Sequence, residues 1–181
     1  MRQLNVTLGL SHETVRQRFG SKRELYSAVV DFGLARFFES LGEERALLPD
    51  AANDLEELRW TTRSFITALV KFPQLMNIVN HEAGNSSERL DYIFEPGFES
   101  GFESGMVLFG GLLDRLVAHG VIYPITIREA YFIIDAGMSP FAQVGLSRAF
   151  DALAGPLKQA AHIDNFLDFI FRGLTKPVSF S

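Results

Sequence analysis

From Leu4 to Leu25 the chain reads Leu4-Asn5-Val6-Thr7-Leu8-Gly9-Leu10-Ser11-His12-Glu13-Thr14-Val15-Arg16-Gln17-Arg18-Phe19-Gly20-Ser21-Lys22-Arg23-Glu24-Leu25. Two glycines and two serines divide it. Gly9 ends a short helix predicted over 2–8, and Leu10 follows as a buried turn residue. The Ser11 hydroxyl accepts a free N-terminal amide of a second helix over 12–18. Val15 and Phe19, four apart, share one face and are expected in the core of a small head. His12, Glu13, Arg16 and Gln17 make the opposite face polar. A helix, a glycine-containing turn and a helix with a polar outer face form the helix-turn-helix pattern. The N-terminal side chains of its second helix reach base edges in the major groove.

Charge is distributed to match. The 181-residue chain has a formal net charge of −5. Within residues 1–23, Arg2, Arg16, Arg18, Lys22 and Arg23 stand against Glu13 alone, an excess of four positive charges; the remainder carries an excess of nine negative ones. Such concentration is the electrostatic footprint of phosphate binding, although a solvated basic face would look the same. The chain lacks cysteine, which excludes a disulfide framework, a cysteine zinc site and a thiol nucleophile and fits a reducing, cytoplasmic setting. Its apolar windows, 106–122 and 130–146, are interrupted by Asp114, Arg115, Asp135 and Gln143 and are too short to span a bilayer. Residues 1–19 lack the apolar run of a signal peptide.

Beyond the head, helical punctuation continues. Ser21…Glu24 and Thr126…Glu129 are capping boxes, and Asp54 with Glu57 is a weaker start signal. Leu25, Val29 and Phe32 give the first long helix an apolar face at helical spacing, as do Ala130, Ile133 and Ile134 after Thr126. Helices are predicted over 22–46, 53–71, 73–84, 87–94, 98–118, 127–143 and 160–173. Short links between so many helices give an all-α fold. Pro140, inside 127–143, is expected to kink its helix and serve as a hinge. Phe94-Glu95-Pro96-Gly97, Phe98-Glu99-Ser100-Gly101 and Phe102-Glu103-Ser104-Gly105 form a tetrapeptide repeat. It reads as a kinked helix start, either a mobile cavity wall or an irregular packing face.

Gly9 to Leu25 also resembles a known signature. It is similar, in order and spacing, to the G-[VL]-S-x-x-T-[LV]-Y-x-[HY]-F-x-[ST]-K-x-x-L pattern of the TetR/AcrR family of bacterial repressors. Arg16 stands where that family usually has Tyr, and Arg18 where His or Tyr is common. The resemblance implies a head (1–45) and a helical effector-binding and dimerisation domain (46–181). It implies that Thr14 and Lys22 touch phosphate, with Arg16 on phosphate or base. Ser11, His12, Glu13, Gln17 and Arg18 complete the DNA-contacting set; Gln17 suits adenine, and Glu13 either accepts from cytosine N4 or simply repels phosphate. Family members usually carry another helix before this motif. Eight residues precede Gly9, so residues 1–20 are expected to pack loosely and this chain to bind DNA poorly as it stands.

In the body, Phe72-Pro73-Gln74-Leu75-Met76, His81-Glu82, Arg89-Leu90-Asp91-Tyr92-Ile93-Phe94 and Gly120-Val121-Ile122 look like stretches of one AcrR-like branch. The resemblance implies a small-molecule pocket and a two-fold dimer through the last two long helices. Ala130, Ile133, Ile134, Gly137, Met138 and Phe141 on one, and Ile163, Phe166, Leu167, Ile170 and Phe171 on the other, exceed a narrow apolar stripe. They suit a homodimer seam, with a wholly internal pair of helices as the alternative. Expected pocket residues are Trp60, Phe65, Leu69, Met76, His81, Tyr92, Phe98, Phe102, Phe109 and Met138, an aromatic set that suggests a hydrophobic or aromatic effector.

Enzymatic signals are absent. His81-Glu82-Ala83-Gly84-Asn85 lacks the second histidine of a zinc protease motif. Asp151, His162 and Asp164 lack a nucleophile, and neither a phosphate-binding loop nor a dinucleotide fingerprint occurs. The sequence therefore reads as a ligand-responsive, homodimeric, cytoplasmic repressor of the TetR type, without cofactor, metal or membrane anchor. A helical sensor or interaction module that has lost DNA binding is the alternative.

Overall fold

A computed structural model describes residues 17, 19–85, 89, 92–93 and 104–177. Eight helices are defined among them: α1 Lys22–Ala46, α2 Asp54–Val70, α3 Pro73–Asn85, α4 Ser104–Ala118, α5 Ile127–Ala142, α6 Val144–Arg148, α7 Asp151–Ala154 and α8 Gln159–Leu174. No strand occurs among the described residues; one antiparallel bridge joins Ile122 to Thr175. None of the described helices is long and apolar enough to cross a membrane. The chain divides into two compact units, 1–36 and 37–181.

In the first unit, Gly20 has φ 69° and turns the chain into α1, a conformation that favours glycine. The expected capping box is formed. The Ser21 amide donates to Glu24 Oε2 at 2.5 Å and the Glu24 amide to Ser21 Oγ at 3.2 Å. The Glu24 carboxylate is held below the usual range by these bonds, the Ser21 backbone first. Phe19, expected in the core of the head, is exposed. The inner face of α1 also differs from expectation. Val29 and Phe32 are exposed, and Val30, Leu34, Phe37 and Ser40 are the buried positions. Apolar and polar residues are spread around the helix without one clear stripe, so periodicity does not fix which side faces inward.

The second unit is built around α2, which packs against α3, α4, α5 and α8. Its buried residues are Leu58, Thr62, Ser64, Ile66 and Ala68. Small side chains among them let several helices approach at once. The start of α2 is fixed by Asn53, whose side chain accepts from the Glu56 amide at 3.0 Å. Asp54, expected as the cap, instead takes a two-pronged pair from Arg115 at 2.8 and 3.1 Å. That guanidinium holds its carboxyl below the usual range. Further pairs tie α2 to its neighbours: Arg45 to Glu57 at 2.6 Å, Arg59 to Asp168, and Arg63 to Asp164. Lys71, just past α2, reaches Glu44 at 2.7 Å and the Ser40 hydroxyl at 3.0 Å. Helix α5 opens with the second expected capping box, Thr126 with Glu129.

Helices α5 and α8 meet closely. A Cβ on Gly137 would lie 1.9 Å from the Phe166 ring. His162 stacks on Phe166, meets Phe141 edge-on and places Nε2 3.0 Å from the Gly137 carbonyl. Ala130, Ile134, Met138, Phe141, Ile163, Leu167, Ile170 and Phe171 all belong to one buried cluster within the chain. Most residues expected at a dimer seam are thus core. Of the expected seam residues Ile133 is exposed, and the rest of the apolar surface on α5, α8 and the turns between them is a different set that includes Phe132, Val144, Leu146, Phe150, Leu153 and Phe169. Pro140, expected to kink its helix, lies inside α5. It sits in the last turn, and the helix breaks at Gln143 before α6 begins. Helices α6 and α7 were not expected.

Candidate functional site

Residues at helical spacing on four elements line a partly open cavity of about 90 Å3. Helix α1 contributes Phe37, Phe38 and Leu41; α2 contributes Thr61, Thr62 and Phe65. Gly105, Met106 and Phe109 come from α4, and Ile127, Tyr131 and Ile134 from α5. Phe37 meets Phe38 and Phe65 edge-to-face, with ring centroids 5.2 and 5.6 Å apart, the arrangement that aromatic quadrupoles favour. Ile134 and Phe37 are nearly buried, while Phe38, Phe65, Phe109 and Tyr131 are half-buried.

No lining residue is charged. The Thr62 hydroxyl donates to the Leu58 carbonyl at 2.7 Å, and the Thr61 hydroxyl donates to Glu57 Oε1 at 3.4 Å. Burial, and then the carboxylate of Asp135, push the Tyr131 phenol above its ordinary value. Burial likewise raises Asp135. Tyr131 therefore keeps its proton at neutral pH. The site offers apolar walls and hydroxyls; it has no nucleophile–base pair, and no cluster of three potential metal ligands occurs among the described residues.

Of the pocket residues expected from sequence, Phe65 and Phe109 line this cavity. Met76 and Met138 are buried in the core cluster, and Leu69 packs against it. Trp60 is half-buried beside Thr61 in sequence, with its indole N–H buried and unpartnered among the described residues. His81 is exposed and Tyr92 half-buried. Phe98 and Phe102 lie outside the described residues. So do Ser11, His12, Glu13, Thr14, Arg16 and Arg18 of the DNA-contacting set, and with them the helices expected at 2–8 and most of 12–18. Gln17 and Lys22 are described and are exposed.

Sequence reasoning passed over the α1 wall because it assigned residues up to 45 to the head. It passed over Tyr131 because the apolar pattern of α5 pointed to a seam. A signal was present: Thr61 and Phe65 are one turn apart on α2, as are Ile127 and Tyr131 on α5, and each pair shares a helix face.

No protein-family model matches the chain, and no curated protein matches it. Among solved structures it is similar to one titled as the structure of a protein with unknown function from Rhodococcus sp. RHA1. The two are 18% identical with a TM-score of 0.58, over 97% of this chain and 84% of that one, a likeness of fold.

Proposed function

We propose that this chain is a ligand-responsive, DNA-binding transcriptional regulator of the TetR/AcrR type, a repressor that a small hydrophobic or aromatic effector releases from a pseudo-palindromic operator. The observation that carries this reading is the run from Gly9 to Leu25, with its caps, its polar outer face and its local excess of positive charge. The apolar, aromatic cavity supports the effector half. Phe37, Phe38 and Leu41 stand on α1, the helix that begins at Lys22 in the same motif. An effector pressing on those side chains acts on the helix that carries the motif's last residues. Release requires that the effector bind one conformation better than the other.

A two-fold dimer belongs to this reading, because pseudo-palindromic sites mirror protein symmetry. Its support is the exposed apolar set on α5, α8 and the turns between them: Phe132 is 62% exposed, Phe169 78% and Leu153 87%. Large apolar side chains left this exposed are material for an association surface.

The test is a DNA-binding selection with the 181-residue chain and with the same chain preceded by one more helix, each between about 50 and 200 mM salt. The expected result is that the lengthened chain binds one pseudo-palindrome tightly, weakening steeply with salt, and that the 181-residue chain binds it poorly. Arg16→Ala or Lys22→Ala should then reduce the salt slope by about one. Binding without sequence preference or salt dependence in either chain would remove the regulator reading and leave a ligand-binding module.

A further inference from the structure

The cavity's own chemistry narrows what it can hold. Five of its lining side chains are aromatic and none is charged. Three carry hydroxyls, and two of these donate within the protein, Thr62 to the Leu58 carbonyl and Thr61 to Glu57. Tyr131 makes no hydrogen bond among the described residues and stays protonated, and its hydroxyl is not sealed from solvent, so it is a donor on the cavity wall that a ligand can reach. Asp135 stands one turn further along α5, partly buried, with no basic side chain paired to it among the described residues. A carboxylate ligand would lose its water against apolar walls, and Asp135 is not itself a lining residue. A cation would lose its water against walls without a charged residue. Size narrows the choice further: an engineered cavity of about 150 Å3 admits benzene, and this one is about 90 Å3. A single ring matches that scale, with the half-buried phenylalanines giving way slightly.

We infer that the cavity takes a neutral single-ring molecule with one hydrogen-bonding group, a compound of the phenol class, its ring among Phe37, Phe65 and Phe109 and its polar atom on the Tyr131 hydroxyl. The inference deepens the effector reading, and rests on it only for what occupancy does to DNA binding.

Calorimetric titration of the 181-residue chain at pH 7 with phenol, toluene, benzylammonium and benzoate tests it. Phenol and toluene should bind, and the two ions should bind at least about tenfold more weakly. Tyr131→Phe should raise the phenol Kd about fivefold, the loss of one hydrogen bond, and leave the toluene Kd within about twofold. Thr61→Leu, which fills the cavity from α2, should weaken both neutral ligands about tenfold or more. If Tyr131→Phe fails to fold by circular dichroism, the four-ligand series and Thr61→Leu decide. The inference is overturned if either ion binds as tightly as phenol, if Tyr131→Phe affects phenol and toluene equally, or if neither neutral ligand binds. Operator binding measured alongside separates the two claims. Phenol at Tyr131 with no operator bound under any condition removes the regulator and keeps the ligand class. Operator release by an ion that phenol does not imitate does the reverse.

Discussion

At its first two turns α5 gives Ile127, Tyr131 and Ile134 to a cavity of about 90 Å3, whereas one turn later a Cβ on Gly137 would come within 1.9 Å of Phe166. The same helix is under-filled at one end and filled to contact at the other. Both ends are apolar, so composition does not distinguish them. What differs is the partner. The first turns meet half-buried rings on α1, α2 and α4, and the later ones meet α8 through a glycine. A void retained beside such close packing is a feature that the surrounding helices could have filled and did not.

That contrast can be tested by substitution at each end. The largest effect is expected at the filled end. Met138 is fully buried, and Met138→Ala should cost about 3 kcal/mol in urea unfolding. A cost below about 1 kcal/mol would mean that α8 is not firmly seated there. Gly137→Ala should cost about 2 kcal/mol, because strain against Phe166 outweighs the better helix propensity of alanine. Adding Phe166→Leu should recover part of that loss, and simple additivity of the two would remove the proposed clash. At the cavity end, Thr126→Ala deletes the capping box of α5 and should cost about 1 kcal/mol. Thr61→Leu should change stability by no more than about 0.5 kcal/mol, since the space it enters is empty. A large penalty there would show that the cavity does not exist in solution.

Acid should act on the two ends with opposite sign. Arg59 holds the Asp168 carboxyl on α8 below the usual range. That stabilisation is present above the ordinary Asp value and is lost as pH falls through the lowered one, below about pH 4. Asp135, at the cavity end, is raised by burial, so protonating it on acidification favours the folded chain. Thermal melts from pH 6 to 3 should therefore fall less steeply for Asp168→Asn than for the unaltered chain, and more steeply for Asp135→Asn. Parallel curves for all three would refute the assignment.

Helix boundaries were legible because they are set locally. Ser21, Glu24, Thr126 and Glu129 form their caps with groups at most three residues away, and α1, α2, α3, α5 and α8 fall where spacing and caps put them. Facing was not legible. In α1 the run from Ala28 to Phe38 is apolar on most sides, and the buried face is Val30, Leu34 and Phe37 rather than Leu25, Val29 and Phe32. In α2 the buried set includes Thr62 and Ser64, polar residues that hydropathy assigns to the surface. The cavity was half legible for the same reason. Phe65 and Phe109 stand out as aromatics in the body, but the wall from α1 and the hydroxyl of Tyr131 depend on which side each helix turns inward. That is decided by tertiary packing, not by periodicity.

The bridge between Ile122 and Thr175 is made of two backbone bonds, Tyr123 N–H to the Leu174 carbonyl at 2.8 Å and Lys176 N–H to the Val121 carbonyl at 3.0 Å. It works as a clasp, closing α5 to α8 into one loop of chain. While it holds, the two ends of that loop are tied by backbone bonds as well as by the core that α5 and α8 share. Amides of α5 and α8 should then exchange with deuterium as one cooperative unit, while α3, outside the loop, keeps its own rate.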